Sequence, residues 1–317
     1  MEKEEREKTA KILSNIFQKL NVNAKVEIAK DKADGLNLIV DNFTSFDISG
    51  DTFRHIIEKF SDIYNEYDSD ERIVEWKKQN AGKSTPAKES EIRERYENIG
   101  YELSIIGYLT NMLYQYKTVD DWEMLDPDIK EKELTEPKNF IKTFKITNAI
   151  NHILDDLNIE AWVNRVPYMI ILYISTDYNY DSSYEFDEFE PTSLIEVANE
   201  IKNTAENYDW EEERSLWTPG KNGALEEPYL TEEFKNIGHI MEDIRWAMEA
   251  LLEIEKSQDK SYENKERIIK KYKRIIHKQK IETFRRKIHI AINGLGSLGL
   301  SNDEILNVVK EEMNNLV

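Results

Sequence analysis

The chain has 317 residues, 63 of them acidic and 43 basic, with five histidines, no cysteine and a net charge of −20. Absence of cysteine excludes disulfides, thiolate metal sites and thiol nucleophiles together, and fits a reducing compartment. The longest apolar run, Tyr168 to Ile174, is seven residues, against about 20 for a bilayer span, and the charged start Met1-Glu2-Lys3-Glu4-Glu5 has no apolar signal core, so a cytoplasmic protein with no membrane contact is expected.

In chain order, Ile12, Ile16 and Leu20 repeat at helical spacing. Ala24, Val26 and Ile28, then Leu36, Leu38 and Val40 after the Asp34-Gly35 turn signal, alternate with polar residues as half-buried strands do. Helices are expected from near Asp51 and from about Glu89 to Tyr116. The same series then returns. Ile146, Ile150, Ile153 and Leu157 predict a helix, Ala161 to Val166 and Tyr168 to Ser175 two strands about Pro167, and further helices follow from near Ser193 and from about Thr231 to Ile254.

Three collinear sequence matches accompany this order. Leu20-Asn21-Val22-Asn23-Ala24-Lys25-Val26 recurs as Leu157-Asn158-Ile159-Glu160-Ala161-Trp162-Val163, 137 residues on. Tyr67-Asp68-Ser69-Asp70-Glu71 with Trp76 recurs as Tyr208-Asp209-Trp210-Glu211-Glu212 with Trp217, and Tyr96-Glu97-Asn98-Ile99-Gly100 as Phe234-Lys235-Asn236-Ile237-Gly238. The expectation is an α+β protein built as a tandem duplicated module: a helix, a two-stranded antiparallel sheet segment and helices. Module boundaries fall at residues 1–120 and 140–255, joined by a linker over 121–139 and followed by a basic helical C-terminal extension over 256–317. The repeated Tyr-Asp and Trp residues read more simply as helix caps and core-edge packing than as paired binding sites. Gly100 and Gly238, each inside a helical pattern, imply close approach of a neighbour.

Few motifs carry chemistry. Gly294-Leu295-Gly296-Ser297-Leu298-Gly299 matches a dinucleotide fingerprint, but only 18 residues follow it, too few for the rest of that unit. Glycines ending one helix, with Ser301 to Glu304 as the capping box of the next, account for the same residues. His55, His152, His239, His277 and His289 show no zinc-binding spacing, and neither a phosphate loop nor a nucleophile motif is present. No cofactor is implied and no enzyme is expected. Between Asp177 and Glu190, carboxylates (Asp177, Asp181, Glu185, Asp187, Glu188, Glu190) interleave with Tyr178, Tyr180, Tyr184, Phe186 and Phe189. The plain expectation is a solvated loop. The functional one is a recognition loop whose aromatics anchor an interface while its acids meet lysine or arginine.

Charge is distributed unevenly, at −26 over residues 1–255, +9 over 256–291 and −3 over 292–317. The basic segment bears Lys270, Lys271, Lys273, Arg274, Arg285, Arg286 and Lys287 around an isoleucine stripe. These cations offer a grip for phosphate, yet the acidic bulk of the chain repels nucleic acid and supplies partners within the chain or across a dimer. Nucleic acid is therefore the less favoured partner, and packing against the chain's own acidic modules, or against a second subunit in a homo-oligomer through the C-terminal helices, the more favoured.

The stretch from Tyr67 to Leu113, with Y-D-x-D-E, Trp76, the Gly82 to Pro86 linker and the long closing helix, resembles a family of small acidic proteins of unassigned function carried by phages and integrative elements of low-GC Gram-positive bacteria. The resemblance covers each module but not the C-terminal helices, and the second copy has Gly220 to Pro228 in place of the linker. Such elements carry anti-CRISPR and antirestriction inhibitors. The resemblance thus implies a non-enzymatic inhibitor that binds a basic protein surface, such as that of a host defence nuclease or effector. The alternative is a nucleic-acid-binding or regulatory protein acting through the basic helix.

Overall fold

A computed structural model describes residues 1–29, 35–166, 169–174, 182–186, 193–216, 227–297 and 301–315. It divides into two compact units, Met1–Phe144 and Lys145–Val317. The fold is α+β, mostly helical, with two small antiparallel sheets.

The first unit runs α1 (Lys3–Lys19), β1 (Ala24–Ile28), β2 (Leu36–Val40), β3 (Thr44–Asp47), α2 (Phe53–Glu66), α3 (Ser69–Gln79), α4 (Pro86–Leu113) and α5 (Val119–Glu123). The next helix, α6 (Pro127–Asp156), contains the boundary between the units. The second unit continues with β4 (Ala161–Val166), β5 (Met169–Ile174), β6 (Ser182–Phe186), α7 (Leu194–Glu206), α8 (Trp210–Leu216), α9 (Glu227–Lys256), α10 (Tyr262–Ser297) and α11 (Asn302–Asn315).

Three expectations are corrected. Each sheet has three strands in consecutive order rather than two. In the first unit β3 escaped the pattern because Thr44-Ser45-Phe46-Asp47 has a single apolar residue, yet Asn37 to Val40 pair with it along its length. In the second, residues 182–186 of the acidic aromatic stretch are not loop but strand, paired with β5 from Ile170 to Ile174. The span 121–139, expected as a linker, is helical apart from the turn before Pro127.

Local chemistry explains the element ends. Thr52, Asp68, Thr85 and Ser193 cap α2, α3, α4 and α7, each accepting a backbone N–H from three residues on. Ser301 and Glu304 form the expected capping box at α11, with Ser301 N–H donating to Glu304 Oε2 at 2.8 Å and Glu304 N–H to Ser301 Oγ at 3.4 Å. Helix α1 stops because Asn21 takes the left-handed conformation, φ 55°, and Val22 N–H turns back to Phe17 O at 2.9 Å. At the end of α6, Asn158 has φ 54° and Ile159 N–H reaches Leu154 O at 3.0 Å.

Each leading helix is then tied to its first strand by one polar side chain. Ser14 Oγ accepts from Val26 N–H at 2.9 Å and donates to Val26 O at 3.1 Å. In the second unit the Asn151 amide does the same for Val163, at 2.7 and 2.9 Å. Gly100 lies under the Tyr67 ring, 3.3 Å from where a Cβ would sit, and Gly238 under Tyr208 at 3.6 Å. The repeated glycines thus make room for the repeated tyrosines.

In the first core, Leu13 and Phe17 of α1, Leu36, Leu38 and Val40 of β2, Phe53, Ile57 and Phe60 of α2, and Ile99, Leu103 and Ile106 of α4 are buried together. Two stacks, Tyr108 on Phe140 at 3.6 Å and Tyr101 on Phe144 at 4.9 Å, join α4 to the first part of α6. The second core groups Ile153, Leu172, Ile174, Ile201, Ile237, Ile244 and Met248 with Ile268, Ile269, Tyr272 and Ile276 of α10. The first half of the basic helix is therefore part of the second unit's core.

Candidate functional site

Each sheet turns one face to its helices, and the other faces differ sharply. Strand alternation places Lys25, Glu27, Asn37 and Ile39 on the outer face of the first sheet, where Lys25 pairs with Glu27 at 2.7 Å. On the second, Trp162 stands opposite Tyr173, and their rings stack at 5.4 Å with planes 11° apart. Trp162 remains 41% exposed. Ile171 shares that face, and Glu185 of β6 holds the register position opposite Ile171. Of the acidic residues expected to bind protein, Glu185 alone lies within the described residues, whereas Asp177, Asp181, Asp187, Glu188 and Glu190 fall outside them. Sequence reasoning singled out the acids and passed over Trp162 and Tyr173. The repeat held the signal, since Trp162 occupies the place of Lys25 in the matched segments.

The second candidate is α10. Its cations divide in two. Toward α9, Lys271 pairs with Glu253 at 2.5 Å, Tyr272 Oη donates to the same carboxylate at 3.0 Å, and Lys280 pairs with Asp243 at 3.1 Å. Lys271 holds the Glu253 carboxyl below its ordinary value, whereas burial pushes Asp243 upward against the pull of Lys280. Lys270 pairs within the helix with Glu266 at 2.7 Å, and Lys273 is exposed beside that pair. Arg274, Lys278, Arg285 and Arg286 are exposed and form no ion pair among the described residues. Lys287 is in α10, its side chain outside those residues. Farther along, Phe284 is 62% exposed, Ile290 70% and Leu306 of α11 50%.

Two cavities open beside α10. One, about 490 Å³, lies among α7, α9 and α10, with Lys202 on its wall paired with Glu249 at 2.8 Å. The other, about 330 Å³, lies between α9 and α10 near Glu242, Asp243, Gln279, Lys280 and Phe284. Among the described residues no group of three histidine or acidic side chains is arranged to hold a metal ion, and no helix is long and apolar enough to cross a membrane. Comparison with known protein families, with curated proteins and with solved structures finds no match to this chain.

Proposed function

We propose that the chain is a non-enzymatic inhibitor from a phage or mobile element, acting in the cytoplasm by covering a basic surface on a host defence protein such as a nuclease or effector. One observation carries this reading: a Trp–Tyr stack with Trp162 exposed and Tyr173 half-buried stands on the outer sheet face of an acidic protein. Aromatic side chains anchor interfaces at small entropic cost, and their ring faces attract arginine and lysine. Neighbouring carboxylates add complementarity and speed encounter. We read the scaffold as two copies of one module, supported by the matched Asn21 and Asn158 turns, the Ser14 and Asn151 ties and the two tyrosine–glycine contacts.

The test is protection. Expressed in a host bearing a restriction or CRISPR system, the chain should raise the plating of a targeted phage, and the Trp162→Ala/Tyr173→Ala variant should lose that effect while keeping its circular dichroism. A chain that protects against none of these systems would contradict the reading.

A second reading rests on the four exposed cations Arg274, Lys278, Arg285 and Arg286, which suit phosphate or the acidic surface of a second copy. Changing Arg285 and Arg286 to glutamine separates these. Loss of salt-dependent DNA or RNA retention in a gel shift supports a regulatory nucleic-acid binder, and a changed sedimentation coefficient supports self-association.

A further inference from the structure

The distal part of α10 leaves the core that its first half completes. Ile276 is buried in the second unit's core and Lys280 is tied to Asp243 of α9 at 3.1 Å, but none of the described side chains from Ile281 to Asn293 is buried. Helix α11 packs against α10, yet among its described side chains only Ile305 is buried. Apolar groups are nevertheless concentrated there. Of the fourteen large apolar side chains exposed among the described residues, five, Ile281, Phe284, Ile290, Leu306 and Val308, belong to these two helices. Helices draw most of their stability from packing an apolar face, and an exposed surface of this kind marks a place that another molecule covers.

Charge selects the occupant. Residues 277–291 of α10 carry five bases and one acid, whereas residues 301–317 carry four acids and one base. Both signs therefore stand on helices that touch. A nucleic acid, an anionic bilayer or an acidic protein would be drawn to the cations of α10 but repelled by α11. Two α10 helices laid on each other would oppose like charges. A second copy turned by half a rotation instead sets its α11 on this α10 and its α10 on this α11, so both attractive pairings form together.

We propose that the distal half of α10 and α11 form the two-fold interface of a homodimer, in which the apolar side chains from Ile281 to Leu306 are covered and Arg285 and Arg286 of each copy face Asp303 of the other. The proposal rests on the self-association reading of α10 given above, to which it adds the surface and its symmetry.

Sedimentation velocity of the full chain is the test. At low salt it should pass from monomer to dimer between about 1 μM and about 100 μM, and high salt should weaken the dimer. Phe284→Ser/Ile290→Ser/Leu306→Ser changes only exposed side chains, so its circular dichroism should be unaltered while its dimer is at least about tenfold weaker. Arg285→Glu/Arg286→Glu and Asp303→Lys should each weaken the dimer severalfold. An equimolar mixture of these two variants should associate more tightly than either alone, because mixing restores opposite signs at both contacts.

A wild-type chain that stays monomeric throughout would remove the self-association reading and the proposal with it. Self-association that the triple serine variant leaves unchanged would keep that reading and overturn the proposed surface. Absence of any gain on mixing would overturn the pairing of α10 with α11. Retention of a monomeric chain on phosphatidylglycerol vesicles would assign the exposed apolar groups to lipid and likewise overturn it.

Discussion

The two units tie helix to strand in the same way but finish their surfaces differently. In the first, the outer sheet face has a Lys25–Glu27 pair, and α4 meets α6 through flat aromatic stacks at Tyr108–Phe140 and Tyr101–Phe144. In the second, the outer face has Trp162 on Tyr173, and the apolar contact of α9 with α10 is flanked by the ion pairs Glu253–Lys271 and Asp243–Lys280. The Tyr108–Phe140 and Tyr101–Phe144 stacks thus lie between helices of the first unit, whereas the Trp162–Tyr173 stack of the second lies on a sheet face. On the proposed function, the exposed Trp162 makes the outer sheet face of the second unit the surface to test for partner binding.

The largest stability contrast should lie in the seams. Tyr108→Ala removes a stacked ring and should destabilise the first unit by about 2 kcal/mol, independent of salt. Lys271→Met should cost the second unit about 0.5–1 kcal/mol at low ionic strength, falling toward zero in high salt, because its ammonium is half exposed. Denaturant titrations at two salt concentrations check both.

Acidification should separate the two carboxylates of the second seam. Glu253 is held below its ordinary value of 4.5, so its contribution is complete above that pH and is lost as pH falls through its folded value. Asp243 is held above 3.8, so its burial opposes folding at neutral pH, and that cost is relieved as pH drops through its raised value. Glu253→Gln should accordingly lower the melting temperature at pH 7, and Asp243→Asn should lower it less or raise it. Below about pH 4 the Glu253→Gln difference should shrink.

The smallest contrast concerns the matched glycines. Alanine in a helix gains about 1 kcal/mol over glycine. At Gly238 the added Cβ would stand 3.6 Å from Tyr208, an ordinary contact, so Gly238→Ala should be stabilising. At Gly100 it would stand 3.3 Å from a Tyr67 ring whose hydroxyl donates to Tyr96 O at 3.0 Å. That ring has less room to yield, and Gly100→Ala should gain little or lose. Paired melting curves decide it.

Much of this fold was legible as pattern. The period of Ile146, Ile150 and Ile153, the alternation of Leu36, Leu38 and Val40, and the Ser301 to Glu304 box all stand where they were expected. What escaped was pairing that has little apolar signature of its own. Thr44 to Asp47 and residues 182–186 are strands because β2 and β5 offer them an edge. The surface chemistry escaped for another reason. Which glutamate of α9 meets which lysine of α10 depends on how the two helices align in space, and no local spacing encodes that. The candidate aromatic pair was hidden similarly, since Trp162 and Tyr173 are eleven residues apart and meet only through the β4–β5 register.

The most direct measurement is partner affinity for matched double variants of the two open sheet faces, by calorimetry with the protein captured from the host. Trp162→Ala/Tyr173→Ala should weaken binding by at least about 2 kcal/mol, some thirtyfold, while Lys25→Ala/Ile39→Ala should leave it unchanged. Equal affinities for both variants, or a loss confined to the first unit's face, would contradict the assignment of recognition to the second sheet.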